Sequence, residues 1–240
     1  LMIRRPPRST LDRSSAASDV YKRQLRNYAS INPNIVVESG NKLKTISVAR
    51  NVLSSSTITE TFPKEFGIYD LGEFLNVISL VDKPHLTFED DYVTVGDSTG
   101  RSAVKYYYSD PDMLTSSGKD VQMPEAEVNF SLDSDTLNKI RRAASALGHS
   151  ELSIANTQGA VRLSIVDSAN ATSNVFSIDV EGSYPDGAEF NFIMNVNNLK
   201  IVDEDFHVMI SSKLISHFTS KQSDIEYFIA LEKASTYKGV

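Results

Sequence analysis

Three times in 240 residues a strand pattern runs straight into a short helix pattern, and a meander of further strands follows. Phe66-Gly67-Ile68-Tyr69-Asp70-Leu71 leads into one helix, Phe130-Ser131-Leu132 into a second, and Phe190 to Met194 into a third. An earlier helix closing at Asn32-Pro33 supplies a fourth unit. Two units fall on each side of a turn-rich stretch from Pro111 to Pro124. This repeat predicts an α+β chain of two similar domains, residues 25–110 and 125–240, joined by a linker over residues 111–124. Each domain is expected to carry two short helices on antiparallel β-sheets.

The local signals are specific. Asp70 is placed to cap a helix within Tyr69 to Val81. Ala126, Val128, Phe130 and Leu132 alternate strictly, as one face of a strand requires. The next segment, Asp133 to Gly148, reads as a helix capped by Asp133 or Ser134 and ended by Gly148 in the left-handed conformation. Its Leu137, Ile140, Ala144 and Leu147 form one apolar stripe. Lys139 and Arg142 fall opposite that stripe, and Arg141 lies on its flank. Asn197 to Val202 is expected to form the fourth helix, carrying Lys200. The second helix has only Asp70 and Glu73 as charges.

Three cations on one short helix stand out because the chain is acidic, with a formal charge of −7. The contrast grows when residues 1–24 are set aside. Asp19 to Gln24, DVYKRQ, resembles a reading-frame translation of a transposon adapter from sequencing libraries, and IRRPPRS upstream resembles other translated adapter. Such a segment is excluded from fold reasoning, and it is expected to replace the native start. It holds six Lys and Arg against two Asp and Glu, so the other 216 residues carry −11.

Several chemistries lack their residues. There is no cysteine, which excludes disulfides and thiolate metal sites. No stretch approaches the roughly 18–20 apolar residues of a membrane-spanning helix. No Gly-rich phosphate loop or GxSxG elbow occurs, and His85, His149, His207 and His217 lack metal-ligand spacing. The acidic turn Glu89 to Tyr92 reads as solvated, and Tyr106 to Tyr108 as a strand that packs on one face. No catalytic site, cofactor or metal is expected.

LRNYASINPNIVVESG, IYDLGEFLNVISLV, FNFIMNVNNLKI and FIALEKAST occur in this order from Leu25 almost to the C-terminus. Together they closely resemble the DNA sliding clamp of T-even-type tailed phages. The resemblance implies the DNA clamp fold and a homotrimeric ring lined by helices and walled by sheets. It implies a processivity factor that encircles double-stranded DNA without sequence preference in the cytoplasm of the infected bacterium. The implied partners are the replicative DNA polymerase and an ATP-dependent clamp loader, with a possible further role as a late-transcription co-activator. No membrane is involved.

By position, the resemblance makes Lys139, Arg142, Arg141, Lys200 and Arg26 DNA-facing. It places a partner-peptide pocket at Val48, Val52, Val121, Met123, Phe228, Ala230 and Leu231. It puts the subunit interface at Val104, Tyr106 and Tyr108 of one strand and Val161, Leu163 and Ile165 of another, paired between neighbouring chains. A thin basic lining suits a ring held by topology, since phosphate attraction is sequence-independent and strong binding would brake sliding. A phage structural module, such as a tail or baseplate β-protein, is the alternative; it would share the acidity and lack of cysteine but not need cations opposite the helical core stripe.

Overall fold

The structure is a computed structural model. It describes residues 10–11, 15–97, 99, 101–118, 120–170 and 172–239, with side chains described from Lys22 onward. The chain forms two compact units: residues 1–48 with 55–118, and residues 49–54 with 119–240.

The first unit contains β1 (Thr10–Leu11), α1 (Ser15–Ile31), β2 (Ile35–Val37), β3 (Gly40–Ile46), most of β4 (Val52–Phe62), β5 (Phe66–Ile68), α2 (Leu71–Ser79), β6 (His85–Phe88), β7 (Tyr92–Gly96) and β8 (Ala103–Tyr107). Backbone helix in α1 therefore runs back through residues set aside as adapter. It stops at Asn32, whose amide donates to Tyr28 O at 2.9 Å, because Pro33 has no donor to continue the ladder. The expected Asp70 cap is present: its Oδ1 accepts from the Glu73 amide at 2.8 Å. α1 and α2 pack together, burying Leu25, Tyr28, Leu71, Phe74 and Ile78. The buried Tyr28 hydroxyl donates to Ser56 Oγ at 3.0 Å. Strands β6, β7 and β8 form an antiparallel meander, with β8 at the sheet's end.

The second unit contains β9 (Val128–Leu132), α3 (Ser134–Leu147), β10 (Glu151–Thr157), β11 (Ala160–Val166), β12 (Phe176–Val180), β13 (Gly182–Ser183), β14 (Glu189–Asn195), β15 (Phe206–Ser211), β16 (Ile215–Ser220), β17 (Ile225–Ala230) and β18 (Thr236–Lys238). One sheet has the order β12-β11-β10-β14-β18; the other runs β13-β9-β15-β16-β17 and takes up the first residues of β4. There Ala230 N donates to Asn51 O and Ser54 Oγ to Glu226 O.

Two expectations need correction. The expected fourth helix is a single 3-10 turn, Val196–Asn198. Asn195 Oδ1 caps the turn by accepting from the Asn197 amide at 2.9 Å, but the backbone leaves helical geometry at Leu199, with ψ at 47°. Strand β16 was not expected. Its inward-facing Ser216 is fully buried beside Phe218 and interrupts the apolar alternation, while its Oγ donates to Ile229 O at 2.8 Å.

Candidate nucleic-acid interface

α3 is fixed at both ends. Asp133 Oδ1 accepts from the Thr136 amide at 2.6 Å, and this bond holds the Asp133 carboxyl below the usual carboxylate range. Gly148 closes the helix at φ 68°, where a side chain would be strained. Thr136, Leu137, Ile140 and Ala144 are buried.

Two polar ridges run along the helix, one beside this stripe and one opposite it, each advancing at i, i+4, i+7. Ser134, Asn138 and Arg141 face the segment after the 3-10 turn. The Ser134 amide donates to Asp205 Oδ1 at 2.8 Å, and Asn138 Nδ2 to Asp203 Oδ1 at 2.7 Å. Arg141 Nη2 donates to the carbonyls of both Leu199 and Ile201, at 2.8 and 2.7 Å. Burial pulls the Arg141 pKa down, and the Asp203 carboxylate opposes the shift. Arg141 is thus tied through Nη2 to two carbonyls and half-buried, while it still reaches the surface beside Asn138 and Arg142. A one-residue step of 100° separates it from Arg142, which is exposed.

The outward ridge is Asp135, Lys139 and Arg142. Lys139 Nζ lies 2.7 Å from Asp135 Oδ2, with both side chains well exposed. Among the described residues, Arg142 Nε makes only a long 3.3 Å bond to its own helix at Asn138 O. Lys200 is exposed between the buried Leu199 and Ile201, on a loop rather than a helix. Arg26 is exposed on α1. The structure therefore leaves Lys139, Arg142, Lys200 and Arg26 at the surface. Sequence reasoning missed Asn138, Asp203 and Asp205; the polar row beside the apolar stripe was the available signal.

The expected interface strands divide. β8 is a terminal strand; its Val104 and Tyr106, and Tyr108 just beyond its end, are half-buried against their own unit. The Tyr106 ring packs 5.0 Å from Phe74, and its hydroxyl donates to Asp70 O at 3.1 Å. Burial, with the Glu73 and Asp70 charges, pushes the Tyr106 pKa up to about 12. Tyr108 packs 5.0 Å from Phe66. Val161, Leu163 and Ile165 are corrected: they are fully buried, and β11 is paired on both sides, by β10 and β12. The terminal strands of that sheet are β12, next to β11, and β18.

The expected peptide-pocket residues also divide. Val52, Phe228 and Leu231 are buried, so they are core rather than open lining. Phe228 stacks on His217 at 4.2 Å. Val48, Val121 and Ala230 are exposed, and Met123 is half-buried. Among the described residues, no group of three or more potential metal ligands converges, and no helix is long and apolar enough to cross a membrane.

Two family models match. One, described as DNA polymerase processivity factor, covers residues 22–117; the other, described as gp45 sliding clamp, C terminal, covers residues 129–233. The chain is 32% identical over 214 residues to the sliding clamp of Vibrio phage KVP40, spanning 87% of this chain and 95% of that one. It is 26% identical to the sliding clamp of Enterobacteria phage T4, spanning 89% and 95%. In fold it is similar to proliferating cellular nuclear antigen from Entamoeba histolytica, with a TM-score of 0.68, 14% identity and coverage of 94% and 98%. It is also similar to a putative DNA polymerase III beta subunit from Eubacterium rectale, with a TM-score of 0.65, 14% identity and coverage of 97% and 67%. These matches span both units and give no support to a tail or baseplate module. With capped helices on antiparallel sheets in each unit, and sequence matches across both, the chain belongs to the sliding clamp family of T4-like phages, the DNA polymerase processivity factors.

Proposed function

We propose that three copies close into a ring around duplex DNA and tether the replicative polymerase in the cytoplasm of the infected bacterium. An ATP-dependent loader opens and closes this ring. Lys139 and Arg142 meet phosphates, joined by Lys200 and Arg26. The observation that carries this reading is the outward ridge of α3, where exposed cations stand on a rigidly capped helix in an otherwise acidic chain. Exposed cations supply sequence-independent attraction, and the acidic remainder repels DNA elsewhere.

Ring closure needs two unlike surfaces per chain, meeting head to tail. The end strands β8 and β12 supply two such edges, with unpaired backbone groups that recruit a further strand. Val48, Val121, Met123 and Ala230 are the accessible members of the proposed partner-peptide surface.

Retention on DNA tests the reading. Loaded by an ATP-driven loader, the protein should resist high salt on circular DNA and be lost on linearisation. Equal loss from circles and linear DNA would refute topological binding. Native mass spectrometry over a dilution series should show a trimer; a monomer at all concentrations would refute the closed ring.

A further inference from the structure

Arg141 has an unusual position for a cation beside a DNA-binding ridge. One nitrogen, Nη2, holds two carbonyls that are neighbours but one along the chain, Leu199 O and Ile201 O. The residue between them is Lys200. Leu199 and Ile201 point inward and are 4% exposed each, whereas Lys200 points out. The same segment is tied on its next residue, where the Val202 amide donates to the Tyr227 hydroxyl at 3.2 Å. Two further bonds from α3, Asn138 to Asp203 and Ser134 to Asp205, continue the seam.

This seam replaces a helix. After the 3-10 turn the backbone leaves helical geometry at Leu199, with ψ at 47°, so the carbonyls of 199 and 201 need an outside donor. A guanidinium supplies two N–H groups from one nitrogen, in a plane and permanently charged. Charge-assisted bonds to carbonyls are stronger than neutral ones, so Arg141 is well suited to fix the path of an irregular segment.

We infer that Arg141 is a positioning residue, which sets the backbone on both sides of Lys200 and thereby aims the Lys200 ammonium beside the Lys139–Arg142 ridge, rather than binding phosphate itself. The inference rests on the proposed DNA-facing role of Lys200. Arg141 then acts on DNA only through Lys200. A cation that contacts phosphate directly acts independently of its neighbours.

A double-mutant cycle separates these. Affinity of the full chain for a short linear duplex is measured by fluorescence anisotropy across a potassium chloride series, for the unaltered protein, Lys200→Gln, Arg141→Gln and the double variant. Each lost phosphate contact lowers the slope of log K against log salt by about 0.9. Lys200→Gln should lower the slope, and Arg141→Gln should lower it by a similar or smaller amount. Adding Arg141→Gln to Lys200→Gln should change nothing further. A further drop in the double variant would overturn the inference while leaving Lys200 as a contact. An unchanged slope in Lys200→Gln, with a drop in Arg142→Gln, would instead remove Lys200 from the DNA-facing set and the inference with it. Amide hydrogen exchange at Lys200 to Val202 should speed up in Arg141→Gln; unchanged exchange would also overturn the proposal. If Arg141→Gln does not fold, Arg141→Lys keeps the charge without the planar fork and takes its place in the same cycle.

Discussion

Removing both exposed cations of α3, as K139Q/R142Q, should weaken DNA binding with little effect on stability. The local bonds lost are modest. Lys139 and Asp135 form an exposed i,i+4 pair at 2.7 Å, a class worth about 0.3–0.5 kcal/mol. The Arg142 bond to Asn138 O is long at 3.3 Å. Neither side chain belongs to the buried stripe of Thr136, Leu137, Ile140 and Ala144. Binding should respond more strongly. One phosphate contact adds a slope of about 0.9, or roughly 3.5-fold between about 50 and 200 mM salt, so the double variant should lose about 12-fold less affinity over that range than the unaltered protein. The two single variants should be unequal. Lys139 must share its charge with Asp135, whereas no resolved acidic partner competes for Arg142, so R142Q should cost more than K139Q. Asp135→Asn should act in the opposite direction and tighten binding. Anisotropy titrations of a labelled linear duplex across a salt series read all four variants, with thermal melting as the folding control. Unchanged slopes in a double variant that melts normally would refute the assignment of this ridge to DNA.

Other outcomes follow from the same structure. Asp133→Ala should destabilise the second unit by about 1 kcal/mol through loss of the α3 cap, read by thermal melting. Because the folded-state pKa of Asp133 is depressed, its contribution is present above the unfolded value and lost as pH falls through the folded one. Melting of Asp133→Ala should therefore fall less steeply with acid; an equally steep fall would refute the cap's role. Gly67→Ala places a Cβ 2.5 Å from Ser109 O and 2.7 Å from Leu114 Cδ1, and should cost about 1–3 kcal/mol by overpacking; a variant that melts unchanged would show that Ser109 moves freely. Tyr106, with its pKa raised to about 12, should stay protonated after exposed tyrosines ionise. Its contribution is full below pH about 10 and lost as pH rises toward about 12, so Tyr106→Phe should flatten the alkaline loss of stability seen by ultraviolet absorbance and melting.

Much of the architecture is local and was legible in the residue order. Asp70, Asp133 and Gly148 mark helix ends because capping bonds reach only three or four residues. The apolar stripe of α3 follows from a period of 3.6, and the strand leading into it from a period of 2. The unexpected β16 shows the limit of that reasoning. Its buried Ser216 is satisfied by a carbonyl 13 residues away, which no local pattern reveals.

The candidate site divides in the same way. Residue order alone determined that α3 would exist, which face it would bury, and that Lys139 and Arg142 would stand opposite the core. Tertiary structure alone decided that Arg141 Nη2 would be held by two backbone carbonyls. Its partners lie 58 and 60 residues further along, and they needed a donor because the expected fourth helix stopped after one turn. Strand edges were settled the same way. β11 and β12 are both plausible strands in sequence, but sheet order put β11 between two partners and left β12 at the end. Periodicity sets which side of an element is apolar; which polar groups remain available depends on what the rest of the chain brings against it.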